Sequence, residues 1–123
     1  MHSQLFTCGI DRVRRWADLV QDDNPLHLDS DFAAQTQFGV PIVHGHLLAC
    51  VVVDQIQARL DDGMVYGGTV SIRFRAPVPV GSQVRIDVET REGEVPTVRM
   101  LCNGVQVLEI DVAIPNRPPD PIR

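Results

Sequence analysis

Two spacings of apolar residues divide this chain, and the change between them falls near Met64. Before it the spacing is helical. Val13, Trp16, Ala17 and Val20 recur at i, i+3, i+4 and i+7, with Arg14, Arg15 and Asp18 off the stripe, which predicts an amphipathic helix ending near Gln21. Asp11 is the residue type that caps such a helix, and Leu5 to Cys8 ahead of it reads as a short strand stopped by Gly9. Asp29 to Ala34 predicts a second, short, capped helical segment stopped at Gly39. The long run from His44 to Gly63 contains three consecutive valines, which suit a buried strand. Strands usually hold about four to eight residues, however, so a run of this length predicts a helix. Its first half is apolar all round, and a central helix buried on most sides is expected.

After Met64 the period is two. Val70, Ile72 and Phe74 alternate with Ser71, Arg73 and Arg75, and Val84, Ile86 and Val88 alternate with Arg85, Asp87 and Glu89. The proline-rich stretch Ala76 to Gly81 is the corner between these two strands, because proline cannot sit in a central ladder. Val98, Met100 and Cys102 form another alternating face. Asn103-Gly104 is a two-residue hairpin turn returning into a strand from Val105 to Ile114. The order predicts an α+β protein with an antiparallel sheet around the long helix. One domain covers residues 1–114, followed by a tail at 115–123 that carries four prolines. A sheet of about four strands leaves edges that a second copy can cover, so a homodimer is expected.

Composition narrows the class. The chain has 123 residues, of which 44% are hydrophobic and 22% charged, a globular balance with enough length for a core. A net charge of −5 without a dense basic cluster argues against nucleic acid or an anionic membrane as partner. Cys8, Cys50 and Cys102 are odd in number and far apart, with neither a zinc spacing nor a disulfide framework. With no leader pattern and no apolar run of membrane-spanning length, a cytoplasmic protein is expected.

The candidate chemistry lies in Asp22-Asp23-Asn24-Pro25-Leu26-His27. A carboxylate and an imidazole are the pair that can share and deprotonate one water molecule. Asn24-Pro25 reads as a tight turn able to bring Asp22 and His27 to one rim. The plainer reading is that the acidic residues cap a helix end beside a satisfied histidine. A metal reading of His27, His44 and His46 lacks a third ligand at a defined offset, and no metal or cofactor is expected.

The block Asp22-x-Asn24-Pro25-Leu26-His27, with Phe32-Ala33-Ala34 and then Pro41-Ile42-Val43-His44-Gly45, resembles the MaoC-like hydratases, and most of all the (R)-specific enoyl-CoA hydratases. Gly68 to Phe74, Pro77-Val78 and Val80-Gly81 fit the same family, and the likeness runs from about Leu5 to Ile114. The resemblance implies the hot-dog fold and a dimer with acyl-thioester sites near the subunit interface. It makes Asp22 and His27 the catalytic pair, Asn24 a supporting polar residue, and the Gly45 N–H an oxyanion donor. The expected substrate is an acyl-CoA or acyl-carrier-protein thioester, hydrated at a trans-2 double bond or formed by the reverse dehydration. A carrier-protein dehydratase and a non-catalytic acyl-thioester-binding subunit are the alternatives.

The sequence departs from that pattern at two positions. Val53 stands where the related hydratases carry a serine able to bond near the catalytic aspartate, so the surroundings of Asp22 are expected to be drier or differently organised. His46 replaces an apolar residue, and reads equally as a polar group in an acyl pocket or as a side chain turned to solvent or a neighbouring carbonyl. His44 belongs to the motif, and a structural role suits it better than a catalytic one. His2 is expected in a mobile terminus. The helix at 44–63 is expected to begin at about His44, leaving Pro41-Ile42-Val43 extended and the Gly45 N–H unbonded.

Overall fold

A computed structural model describes residues 2–59, 68–91 and 94–113. Its frame is a sheet of five antiparallel strands in the order β1-β3-β4-β5-β2, formed by β1 (His2–Thr7), β2 (Thr69–Phe74), β3 (Gln83–Glu89), β4 (Thr97–Cys102) and β5 (Val105–Ala113). The alternation after Met64 sets its two faces. Ile86 on β3 lies opposite Met100 on β4, which lies opposite Leu108 on β5. All three are fully buried, and they form one apolar row across the middle of the sheet. Asn103 and Gly104 both have positive φ, 52° and 79°, the requirement of a type I′ hairpin turn. The ladder slips by one residue between Met100 and Leu101. Beyond that bulge the adjacent Val107 and Leu108 are both buried, which strict alternation does not foresee.

Four helices complete the described fold: α1 (Ile10–Val20), α2 (Pro25–Leu28), α3 (Ser30–Ala34) and α4 (Gly45–Arg59). The long helix α4 packs on β2 and β3 through Leu47, Leu48, Val52 and Ile56, all buried. This is the α+β, hot-dog arrangement of a sheet against one long helix. In the single chain α4 is buried along that one stripe rather than on most sides: Ala49, Val51 and Val53 are half-buried and Cys50 is exposed.

Several boundaries differ from those expected. Gly9, not Asp11, is the N-cap of α1, because its carbonyl already accepts the Val13 N–H. Asp11 lies in the first turn instead, against the positive end of the helix dipole. Where Asn24-Pro25 reads as a turn, the chain forms the one-turn helix α2, with Asn24 as its N-cap, Pro25 at its start and the Asn24 side chain accepting from Leu26 N–H. Helix α3 ends at Gln35, and Gly39, at φ 73°, belongs to a later turn. His2 opens β1 opposite Val88 rather than lying in a mobile terminus. The far end of the run expected to reach Gly63 and the proline-rich stretch 115–123 lie outside the described residues. No helix among the described residues is long and apolar enough to cross a membrane.

The last part of the segment joining α3 to α4, Pro41 to Val43, is extended. Val80 N–H donates to the Pro41 carbonyl (2.9 Å) and Val43 N–H to the Val78 carbonyl (2.8 Å), with Ile42 bridged to Pro79. The proline corner between β2 and β3 thereby serves as the strand that holds the start of α4.

Leu48, 2% exposed between helix and sheet, tests how far the core depends on this contact. Leu48→Ala should lower unfolding free energy by about 2–5 kcal/mol. Leu19→Ala, on the exposed face of α1, should stay within about 0.5 kcal/mol. Urea unfolding at one protein concentration measures both.

Candidate functional site

The first element of the site is the end of α1. Gln21 takes the left-handed conformation, φ 58°, while both its N–H and that of Asp22 donate to the Ala17 carbonyl. The bond from Asp22 is the 6→1 bond of a Schellman closure and that from Gln21 the 5→1 bond of a left-handed cap, and they turn Asp22 off the helix axis. Asp22 then caps the chain ahead of it: Oδ1 accepts the Asn24 N–H at 3.3 Å. Asn24 in turn starts α2, whose single turn places His27 on the inner side, half-buried.

Histidines close the site from three directions. His27 Nδ1 lies 2.7 Å from the Ile42 carbonyl. A carbonyl only accepts, so Nδ1 carries the proton in neutral His27 and Nε2 offers a lone pair. His44, fully buried just before α4, donates from Nε2 to the Asp22 backbone carbonyl at 3.0 Å. Its ring stacks on that of His27 with centroids 3.8 Å apart, and its Nδ1 is buried without a hydrogen-bond partner among the described residues. Burial pushes the His44 pKa down, against the raising influence of the Asp22 carbonyl. His46, on the first turn of α4, reaches Asp22 Oδ2 from Nε2 at 3.1 Å, and its Nδ1 receives the Trp16 indole N–H at 2.6 Å.

The Asp22 carboxyl is held below the usual aspartate range, first by the His46 hydrogen bond and then by the Asn24 N–H, with the nearby imidazoles adding to the effect. A carboxylate oxygen of Asp22 and ring nitrogens of His27 and His44 lie within 4.8 Å of one another, a span one bridging water can cover with two hydrogen bonds. The same three side chains are the candidate metal ligands among the described residues. The His27 and His44 rings are stacked with centroids 3.8 Å apart and only 25° from parallel, so one ion cannot lie in the planes of both rings at coordination distance, as imidazole ligands to a tetrahedral ion require.

Gly45 opens α4, and among the described residues its N–H has no acceptor; the Pro41 carbonyl accepts from Val80 instead. A Cβ at Gly45 would stand 3.1 Å from the exposed Phe74 ring, so close packing is a second reason for glycine there. Asn24 is exposed and uses its Oδ1 on Leu26 N–H at 3.0 Å. Val53 follows His46 by seven residues, about 10 Å along the helix, so within one chain it stands away from the carboxylate.

Periodicity missed two contributors. Trp16 falls on the apolar stripe of α1, though a half-buried indole N–H needs an acceptor. Ile42 works through its backbone, accepting from His27 and donating to the Leu26 carbonyl at 3.2 Å, which no side-chain motif announces. A groove of about 680 Å³ between α1 and α4 adjoins the cluster, and Trp16 and Leu47 are among the residues lining it.

A sequence model of the MaoC like domain family matches residues 4–112. The chain is 45% identical over 82 residues to an (R)-specific enoyl-CoA hydratase of Aeromonas caviae, a stretch covering 66% of this chain and 60% of that protein. It is 40% identical over 78 residues to a 3-hydroxybutyryl-CoA dehydratase of Methylorubrum extorquens, covering 63% of this chain and 49% of that protein. Among solved structures, the (R)-hydratase from A. caviae involved in PHA biosynthesis superposes with a TM-score of 0.69 at 32% identity, over 93% of both chains. An unliganded R-hydratase from Pseudomonas aeruginosa gives a TM-score of 0.77 at 25% identity, over 99% of this chain and 90% of that one.

The depressed His44 pKa has a consequence for stability. Below its usual value of about 6.5 the unfolded histidine binds a proton that the folded one refuses. The unfolded state therefore holds more protons in that window, and stability rises with pH across it. Lowering the pH from 7 to 5 should reduce unfolding free energy in the wild type, and His44→Asn should show a shallower fall. Chemical unfolding at the two pH values measures the difference.

Proposed function

Since the chain belongs to the MaoC-like domain family, we propose that it adds water to the double bond of a trans-2-enoyl-CoA with (R) specificity, or removes it in reverse. The observation that carries this reading is the placing of the Asp22 carboxylate and the His27 ring within reach of one water, with the Gly45 N–H at the start of α4 lacking an acceptor among the described residues. Hydration makes three demands: a polarised water at C3, a proton for C2, and stabilisation of the charge that reaches the thioester oxygen. Asp22, held ionised, accepts a hydrogen bond from the water. His27, with Nδ1–H fixed on Ile42, takes the water's proton at Nε2 as the C3–O bond forms. The C2–C3 π electrons move toward the thioester carbonyl, whose oxygen receives the Gly45 N–H. The imidazolium then returns its proton to C2, so the atoms of one water are added across the bond and the protein is restored. Placed acid–base groups of this kind contribute about 10²–10⁴-fold. A backbone donor at a forming oxyanion contributes about 10²–10³-fold.

In this reading Asn24 shapes the turn that carries the pair. The chemistry requires no redox group or metal. The groove beside Trp16 is of a size that accommodates a small organic ligand. We further propose a homodimer: Phe74 on the edge strand β2 is 53% exposed and the outer face of α4 is half-covered apolar surface, which a second copy would bury. Three free cysteines suit a reducing compartment, and we place the protein in the cytoplasm.

The test is the loss of enoyl-thioester absorbance when crotonyl-CoA and longer enoyl-CoAs are incubated with the protein, with the same acyl groups on carrier protein as the comparison. Asp22→Asn and His27→Ala should each lower turnover by at least about 100-fold while melting temperature stays close to wild type. Gly45→Val should lose turnover well beyond its change in melting temperature. EDTA should leave the rate unchanged; a zinc-restorable loss would revive a metal mechanism. Near-wild-type turnover in either member of the pair would remove the shared-water mechanism.

The assembly is tested separately. Sedimentation at micromolar concentration should give twice the 13.6 kDa mass of one chain, and an active monomer would contradict the dimer.

A further inference from the structure

We propose that His46, itself held by Trp16, is the positioning residue that fixes the Asp22 carboxylate for the reaction. The inference rests on the hydration reading and assigns a role to two residues outside its catalytic pair. It starts from a constraint on protons. An indole N–H can only donate, so the 2.6 Å contact from Trp16 Nε1 makes His46 Nδ1 an acceptor. The ring proton of neutral His46 is then on Nε2, which faces Asp22 Oδ2 at 3.1 Å. Trp16 thus selects the one tautomer of His46 that can donate to the carboxylate.

Geometry makes the arrangement directional. Asp22 stands on a half-exposed turn where a lone carboxylate would rotate freely. The Asn24 N–H on Oδ1 and the His46 N–H on Oδ2 hold it from both sides and leave its remaining lone pairs for water. His46 is fixed in turn between two rings, with centroids 5.7 Å from Trp16 and 5.1 Å from His44. These partners come from α1 and from the start of α4 with the residue ahead of it, so the carboxylate is set from two parts of the chain. Val53, seven residues further along α4, has no donor to offer.

The charged surroundings favour the same assignment. Asp22 faces His27 from α2, His44 from the segment ahead of α4 and His46 from α4, with Asp23 adjacent in sequence. His46 faces Asp22, His44 and Trp16, while Arg12 and Arg15 of α1 and Asp54 of α4 line the groove beyond Trp16. Within that set the His46 hydrogen bond is the largest influence keeping the Asp22 carboxyl low.

The experiment compares His46→Leu, His46→Gln and Trp16→Phe in the full chain. His46→Leu removes the donor, His46→Gln keeps an N–H at similar reach, and Trp16→Phe keeps the packing but frees the tautomer. Two readouts are taken: kcat and KM on an enoyl-CoA, and the titration midpoint of the Asp22 carboxyl carbon by NMR. His46→Leu should lose roughly 10- to 100-fold in kcat, the scale of a hydrogen bond to a charged group, with KM changed less than about threefold. Its Asp22 midpoint should rise. His46→Gln should restore most of the rate and the low midpoint, and Trp16→Phe should fall between. Wild-type kcat in His46→Leu, an unmoved Asp22 midpoint in that variant, or equal losses in the leucine and glutamine variants would overturn the proposal. If the wild-type protein hydrates no enoyl thioester, the reaction assigned above fails, and the carboxyl titration still decides whether His46 holds Asp22.

Discussion

The placing of the site depends on the backbone of Pro41, Ile42 and Val43. Pro41 has no N–H, and its carbonyl accepts from Val80. Ile42 donates to Leu26 and accepts from the His27 ring, and Val43 donates to Val78. Each such bond contributes only about 0.5–1.5 kcal/mol net, yet a buried group left unpaired costs more. The segment therefore has little freedom to shift, and it ties α2, the proline corner and the start of α4 to one another. The distance between the His27 ring and the Gly45 amide is set here, through bonds that are backbone-to-backbone except for that of the His27 ring itself.

Around that fixed segment the three imidazoles differ in their hydrogen bonds and burial. His27 is anchored on a carbonyl by one nitrogen and has the other open. His44 is buried, kept neutral by desolvation, and supports both Asp22 through its carbonyl and His27 through a stacked face. His46 is half exposed and turned to the carboxylate. A cluster of three adjacent cations would repel itself. Burial of His44, between the other two rings, disfavours its charged form and so limits that repulsion.

Much of this was legible in the sequence because it rests on periodicity or on a motif with few alternatives. The period-two face of Val84, Ile86 and Val88 and the Asn103-Gly104 turn are where the pattern put them. Length alone separated α4 from a strand despite its valines. The extended approach ahead of Gly45 followed from the cost of glycine inside a helix. What stayed hidden was tertiary or too short to carry a period. Helix α2 is one turn long, so its proline and asparagine read as a loop. The ladder slip after Met100 moved Val107 inward, and local alternation carries no trace of it. The exposure of half of α4 reflects a surface that a single chain does not cover. The Trp16–His46 contact joins residues thirty positions apart, and each had an adequate local explanation of its own.

That contact also makes the protein self-reporting. Trp16 is the chain's single tryptophan, so all indole emission originates at the wall shared by the polar cluster and the groove. Its ring nitrogen is bonded to the imidazole that touches the carboxylate, and its face lines the space beside α4. A molecule entering that space, or a proton arriving on that imidazole, alters the surroundings of the only strong fluorophore. Unfolding, occupancy and the state of the carboxylate's neighbour are all written into one optical signal, with no label attached.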